Sequence, residues 1–318
     1  MSRQTPVNQP VEPAAPIVPD VVVKPSTQET ALALLQAMRP QQWTKNGLVF
    51  AALVFDRKFT DFSTVMVSIL AAICFCAAGS TIYLINDVRD IERDQLHPRK
   101  RYRPIASGRI TPRQALIAAA VLEIFSITIA VLISPAFALI ILGYLVLMVA
   151  YTLELKQLAI IDVFAIAAGF VLRAAGGAIA IDVPVSPWLY ACTMLLALLI
   201  GFGKRRSELA SLGGNAIAHR PSLGDYTLVL LDQYLSILAA ATVIAYSLYT
   251  FDAAAVPRNH AMMLTIPFVV YAIFRYLYLV QRSELGGTPE ALLFADKPLL
   301  ISIIGWAISS AIIILLTK

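Results

Sequence analysis

The run Asn86-Asp87-Val88-Arg89-Asp90-Ile91-Glu92-Arg93-Asp94 repeats oxygen ligands at helical spacing. Asp87, Asp90 and Asp94 fall at i, i+3, i+7, and Asn86, Asp90 and Asp94 at i, i+4, i+8, so a continuous helix presents all four on one face. Like charges on one face repel, and the arrangement is stable only beside a cation. Oxygen donors that leave room for water suit Mg2+, which takes one or two carboxylates and completes its shell with water and substrate phosphate. The plainer alternative is a solvated helix end whose carboxylates pair with Arg89 and Arg93; four residues in register beside an apolar run favour the metal. Directly after it comes His97-Pro98-Arg99-Lys100-Arg101-Tyr102-Arg103-Pro104-Ile105-Ala106-Ser107-Gly108-Arg109-Ile110. Carboxylates followed by dense Lys/Arg match a metal-bridged diphosphate, held by Mg2+ on one side and by cations on the other.

The elements that carry this chemistry are apolar. Of 318 residues, 58% are hydrophobic and 14% charged, with a mean hydropathy of +0.75, whereas a water-soluble domain has roughly a quarter of its residues charged. Lipid must solvate much of the surface. The net charge of +5 is modest and its basic residues sit at the ends of apolar runs, which indicates membrane topology and no nucleic-acid partner. Cys74, Cys76 and Cys192 all lie inside apolar segments, as small core residues. Residues 1–28 lack a secretory signal and have the composition of a disordered tail.

A membrane-crossing helix takes about twenty apolar residues. Runs near 66–85, 114–133, 136–153, 158–181, 188–203, 232–251, 262–280 and 298–317 qualify, the fifth with its flanks. A first span must be built from the nine apolar residues Gly47–Phe55 together with Trp43-Thr44-Lys45 and Phe59, preceded by an interfacial helix over 29–38. The expected architecture is therefore all-α: a nine-helix polytopic membrane protein whose domain covers 29–318. Basic residues crowd the loops after even-numbered spans: Arg89 to Arg113, Lys156, Lys204-Arg205-Arg206, Arg220 and Arg282, against Arg57, Lys58 and Arg258 opposite. By the positive-inside rule the N-terminus and the acidic helix end face the cytoplasm, in an inner (plasma) membrane.

Asn-Asp-x-x-Asp-x-x-x-Asp at the end of an apolar helix, followed by Arg103-Pro104-Ile105-Ala106-Ser107-Gly108, resembles the first motif of the UbiA superfamily of intramembrane prenyltransferases. The likeness runs over nearly all the chain after residue 38. It implies a nine-helix bundle with cytoplasmic cap loops and a Mg2+-diphosphate site. Where most members carry a second Asp-x-x-x-Asp, this chain has Gly203-Lys204-Arg205-Arg206-Ser207-Glu208-Leu209. Cations in place of metal-binding carboxylates favour direct contact with phosphate. Arg39-Pro40-x-x-Trp43-x-Lys45-Asn46, Tyr151-x-x-x-Leu155-Lys156, Asp232-Gln233 and Pro257-Arg258-Asn259-His260-Ala261-Met262-Met263 resemble a phosphoribosyl-transferring branch of that superfamily.

The resemblance implies that phosphoribosyl pyrophosphate donates its sugar to a polyprenyl, decaprenyl-type phosphate. Asp87, Asp90, Asp94 and Asp162 are the candidate catalytic residues, and Arg39, Lys45, Arg103, Tyr151, Lys156, Lys204, Arg205 and Glu208 are the candidates to surround the phosphates. Asn86, Asp87, Asp90 and Asp94 are the metal ligands. Two competing readings are a conventional prenyltransferase with an aromatic acceptor, against which the missing second motif weighs, and a transporter, which would show broken helices near the midplane. Oligomeric state is open, a homo-oligomer included. Within the membrane, Asp162 near a helix end could reach the sugar, Arg173 either lines the site or pairs with Glu123, and Gly176-Gly177 allow close packing.

Overall fold

The computed structural model describes residues 26–212, 220–252, 259–282, 292 and 295–316. Residues 1–25 of the expected tail, and Pro257 and Arg258, lie outside the described residues. Every regular element among the described residues is helical.

Helix α1 (Thr27–Ala37) starts earlier than the expected residue 29, because Ser26 and Glu29 form a reciprocal capping box that satisfies two free backbone N–H groups. Ala33 and Ala37 pack beside Leu84, Ile105 and Ile110, while Leu32 and Leu35 stay exposed, as an interfacial helix requires. Among the described residues, eight helices are long and apolar enough to cross a membrane, the seventh with the 3-10 turn Ala261–Thr265 that precedes it. They are α3 (Phe62–Arg89), α5 (Pro112–Ile133), α6 (Pro135–Leu153), α7 (Ile161–Ala180), α8 (Pro187–Leu212), α9 (Leu228–Asp252), α10 (Ile266–Arg282) and α11 (Lys297–Leu316). Over half of the apolar window of α3 and of α7 is buried, against 17% for α5, so α3 and α7 form the centre and α5 faces lipid.

The expected first span is not an α-helix of that length. It is a 3-10 stretch, Pro40–Phe50, followed by the five-residue α2, Ala51–Phe55. A 3-10 helix rises about 2.0 Å per residue against 1.5 Å for an α-helix, so these 16 residues, 11 and 5, reach about 30 Å, the thickness of a hydrocarbon core. The tighter winding adds about 5.5 Å over an α-helix of the same length, and the polar residues 40–46 supply about half of the total, so the first of the nine expected helices is mostly a 3-10 stretch that begins polar. This stretch lies against α7 where Gly177 admits it: a Cβ at Gly177 would stand 2.0 Å from the Val49 carbonyl oxygen. The expected close packing at the glycine pair is present, with Gly176 facing the ring of Phe75.

Local signals set the remaining ends. Thr111 and Gln114 form a second capping box at α5, with Pro112 in the first turn. Ser134 ends α5 in an extended conformation and caps α6 by accepting from the Phe137 N–H at 3.0 Å, so α5 and α6 make a tight hairpin. One apolar cluster joins α3, α5 and α6 around Phe75, Phe137 and Ile141; another joins α7 to α11 around Leu199, Leu231 and Leu235. The polar ends of α3, α6, α7 and α8 meet at one end of the bundle.

Candidate active site

The α3 ladder carries on past Arg89. The Asp90 N–H bonds the Asn86 carbonyl at 2.9 Å and the Asp94 N–H bonds the Asp90 carbonyl at 2.8 Å, although Asp90 itself leaves helical geometry before α4 (Ile91–Leu96). The slight break divides the carboxylates. Asp87 and Asp94, each 2% exposed, turn to one cation: Arg103 Nη1 lies 3.1 Å from Asp87 Oδ1 and 2.6 Å from Asp94 Oδ2. Arg39 Nη2 adds a 2.5 Å bond to the same Asp87 oxygen. Asp90 faces away, 3.9 Å from Lys156 Nζ. Asn86 is half-buried on the same stretch. Among the described residues no three His, Cys, Asp or Glu side chains are gathered closely enough to hold a metal. The repulsion inferred from the sequence is relieved here by guanidinium and ammonium groups.

Arg39 reaches Asp87 because its backbone is left-handed, φ 56° and ψ 64°, at the corner between α1 and the 3-10 stretch. Non-glycine residues adopt that region at a cost, and Pro40 follows to open the stretch. The guanidinium also lies 4.7 Å from the ring centroid of Tyr83. The Arg103 loop is pinned by Arg109, which donates to Gln36 Oε1 at 2.9 Å and to the Tyr102 carbonyl at 2.9 Å. Burial, with Arg103 beside it, pulls the Lys100 ammonium below the ordinary lysine range. Burial does the same to Lys156, against the pull of Asp90.

A second polar group gathers around Asp162, which is 0% exposed. Arg205 Nε lies 2.9 Å and Arg220 Nε 3.8 Å from Asp162 Oδ2. Ser222 donates to the same oxygen at 3.4 Å and the Tyr226 hydroxyl to Oδ1 at 3.2 Å. Two hydrogen bonds, from Ser222 and Tyr226, and two ion pairs, with Arg205 and Arg220, surround the carboxylate. Asp162 is thus an anchor enclosed by protein, which departs from the expectation that it reaches a sugar. Arg205, 1% exposed, also pairs with Glu208, so the structure gives it carboxylate partners in place of the expected phosphate. Arg206 pairs with Asp232 at 2.8 Å, and Lys204 is half-buried.

The backbone before Asp162 is strained as well: Ile160 has φ 67°, an outlier for a β-branched residue. Its N–H bonds the Tyr226 hydroxyl, whose pKa burial pushes up to about 12, so Tyr226 stays a neutral donor to Asp162.

Arg220 joins the two groups. Its Nη2 lies 2.5 Å from the Tyr151 hydroxyl and its Nε donates to the Lys156 carbonyl at 3.3 Å. Arg89 ties the end of α3 to the Thr152 carbonyl at 2.8 Å. The turn bearing Lys156 is therefore held from both sides. The sequence had shown Arg220 only as one more basic loop residue, and nothing in it marked Ser222 or Tyr226. Of the two readings open for Arg173, the pair with Glu123 does not form: Arg173 bonds Asn46, Gly169 and Tyr144, and among the described residues the Glu123 carboxylate oxygens have no hydrogen-bond partner.

Membrane-crossing helices that bring carboxylates, guanidinium groups and ammonium groups together at one end define an integral-membrane enzyme acting on charged substrates at the bilayer surface. The chain belongs to the UbiA prenyltransferase family, whose model matches residues 47–296, and it is a transferase of that family. It is 33% identical over 291 residues to the decaprenyl-phosphate phosphoribosyltransferase of Mycobacterium tuberculosis, covering 90% of this chain and 95% of that protein. The enzyme of the same name from Corynebacterium glutamicum is 33% identical over 305 residues, covering 93% and 90%. Among solved structures, a UbiA homologue from Archaeoglobus fulgidus bound to GPP and Mg2+ matches with a TM-score of 0.66 at 20% identity, covering 88% of this chain and 99% of that one; this likeness shows the fold.

Proposed function

We propose that this enzyme transfers a 5-phosphoribosyl group from phosphoribosyl pyrophosphate to a polyprenyl phosphate and releases pyrophosphate, with its acidic helix end on the cytoplasmic side of the membrane. The observation that carries this reading is the likeness to phosphoribosyltransferases over nine-tenths of the chain. Lys204, Arg205 and Arg206 in place of a second aspartate motif support it.

An oxygen of the lipid phosphate attacks the sugar C1, and the bond from C1 to the pyrophosphate oxygen breaks. A phosphomonoester is already anionic at neutral pH, so no strong base is required. The barrier lies in the positive charge at C1 and the negative charge growing on the leaving group, which fixed cations in a water-poor site stabilise. Asn86, Asp87, Asp90 and Asp94 would hold Mg2+. The donor set fits in its central pair: all four are oxygen ligands and Mg2+ takes one or two carboxylates, and Asp87 and Asp94 already converge on a single cationic nitrogen of Arg103, whereas Asp90 turns to Lys156 and would have to leave it to join them. The metal would supply charge neutralisation to the departing pyrophosphate. Arg39 and Arg103 stand beside those carboxylates and are placed to contact the same diphosphate. Lys156 screens the incoming phosphate, and Arg220 with Tyr151 holds its turn. The Asp162–Arg205–Glu208 group keeps α7 and α8 in register beneath the site.

The test incubates purified protein in detergent with Mg2+, phosphoribosyl pyrophosphate labelled in the ribose and a polyprenyl phosphate, with EDTA and no-acceptor controls. Label entering the lipid phase, and lost with EDTA, is expected. Absence of transfer at several chain lengths, with Mg2+-dependent consumption of a prenyl diphosphate, would overturn the reading in favour of a conventional prenyltransferase.

A further inference from the structure

Arg173 on α7 is 9% exposed, and its hydrogen-bond partners are neutral. Nε donates to Asn46 Oδ1 at 2.7 Å, Nη1 to the Gly169 carbonyl at 2.8 Å and Nη2 to the Tyr144 hydroxyl at 2.8 Å. The guanidinium also lies over the rings of Tyr144 and Phe170. A buried charge held by neutral groups is expensive at membrane depth and marks a functional group by default. Guanidinium has five N–H donors, and three are committed to these acceptors.

A second cation is close. Lys45 directly precedes Asn46 on the 3-10 stretch, and the Asn46 side chain accepts from Arg173. Tyr83 carries the Arg39 guanidinium on its ring, and Arg39 holds Asp87. Asp87, Arg39 and Tyr83 form one group at the acidic helix end, and Arg173, Tyr144 and Asn46 form another. The Tyr144 hydroxyl lies 3.6 Å from where a Cβ of Gly79 would stand, eight residues before Asp87. That is about 12 Å deeper along α3.

We propose that Arg173 and Lys45 form a second anion site, deeper in the bundle than the acidic helix end, which takes the 5-phosphate of the sugar donor. This rests on the phosphoribosyl reading above. Phosphoribosyl pyrophosphate is anionic at both ends, with a diphosphate on C1 and a phosphate on C5. The bundle offers cation-binding carboxylates with arginines at one level, and a guanidinium with an ammonium at the other. A prenyl diphosphate has one anionic end and an apolar tail, which a desolvated guanidinium opposes. Tyr144 and Asn46 orient the guanidinium, and Gly177 lets the stretch bearing Lys45 approach α7.

The experiment compares two donors, phosphoribosyl pyrophosphate and its analogue lacking the 5-phosphate, on wild type, Arg173→Gln and Lys45→Gln. Removing one charge-assisted hydrogen bond to the donor lowers kcat/KM by about 10- to 100-fold, so each variant should lose that factor with the full donor and little with the analogue. Arg173→Lys should recover part of the loss. Equal losses with both donors would overturn the proposal and leave Arg173 as a clamp on the 3-10 stretch. Ribose 5-phosphate, followed by thermal stabilisation without acceptor or Mg2+, separates this proposal from the overall reaction. Stabilisation of wild type but not of Arg173→Gln supports the deep site even where no phosphoribosyl transfer is detected. Transfer by wild type, with no stabilisation by ribose 5-phosphate, refutes the deep site and leaves the reaction standing. Should Arg173→Gln fail to fold, Lys45→Gln carries the same donor comparison.

Discussion

Replacing Asp162 by Asn separates an anchoring role from a catalytic one. The carboxylate is fully buried and Arg205 beside it has a side-chain exposure of 2%. Breaking a buried ion pair by removing one partner costs about 3–5 kcal/mol, because the remaining charge stays desolvated. Arg205 keeps Glu208, and the Asn oxygen can still accept from Tyr226, so the expected cost lies near the lower end, about 3 kcal/mol. Changing both partners, Asp162→Leu with Arg205→Met, removes the stranded charge and should recover part of that loss. Unfolding in detergent can be followed with a thiol-reactive dye, since Cys74, Cys76 and Cys192 are free and lie within helices. Turnover measured well below the melting temperature should fall less than in a variant of the acidic helix end. An Asp162→Asn protein that melts like wild type but has lost turnover would refute the anchoring argument and return the carboxylate to the substrate.

Asp90→Asn should behave in the opposite way. Its partner Lys156 is 3.9 Å away and both side chains are 25% exposed, a pair worth at most about 1 kcal/mol, so melting is expected to hold while transfer is abolished; Mg2+-dependent activity in this variant would sink the metal assignment. Gly177→Ala should push the 3-10 stretch off α7, since the new methyl would meet the Val49 carbonyl, and a drop in melting temperature together with a raised donor KM is the expected result. Burial holds Lys156 below the ordinary lysine pKa, so it loses its charge at lower pH than an exposed lysine. Phosphate binding favours the protonated form, and substrate KM should therefore climb as pH rises through the alkaline range. Lys156→Arg, which stays charged, should flatten that climb; an unchanged profile would remove Lys156 from the phosphates.

The eight long helices were legible because twenty-residue apolar runs have few alternatives; the acidic run was legible as a polar helix end, but not the break at Asp90, which turns that carboxylate to Lys156 and leaves Asp87 and Asp94 on Arg103. The first span was not legible, since its nine apolar residues cover only about half of the distance: the polar residues 40–46 supply most of the rest, and the 3-10 rise adds about 5.5 Å. Asp162 illustrates a different limit. Its position near a helix end suggested access to substrate, yet access depends on Ser222, Arg220 and Tyr226, which arrive from about 60 residues away and carry no local signature. Arg173 was legible as an anomaly, and its sequence left two readings open, since Glu123 and Arg173 are both costly in lipid and pairing them is the simplest way to relieve both. The structure leaves them apart, with Arg173 facing neutral dipoles. A guanidinium stabilised by dipoles keeps much of its field, and that field points into the space between α3, α6, α7 and the 3-10 stretch. A second aspartate motif would bring a further metal ion to the substrate. Arg205 and Arg206 are held by carboxylates, whereas Arg173 is held by neutral dipoles, so under the proposed reaction Arg173 keeps more of its charge for a substrate phosphate than the cations that replace the second aspartate motif.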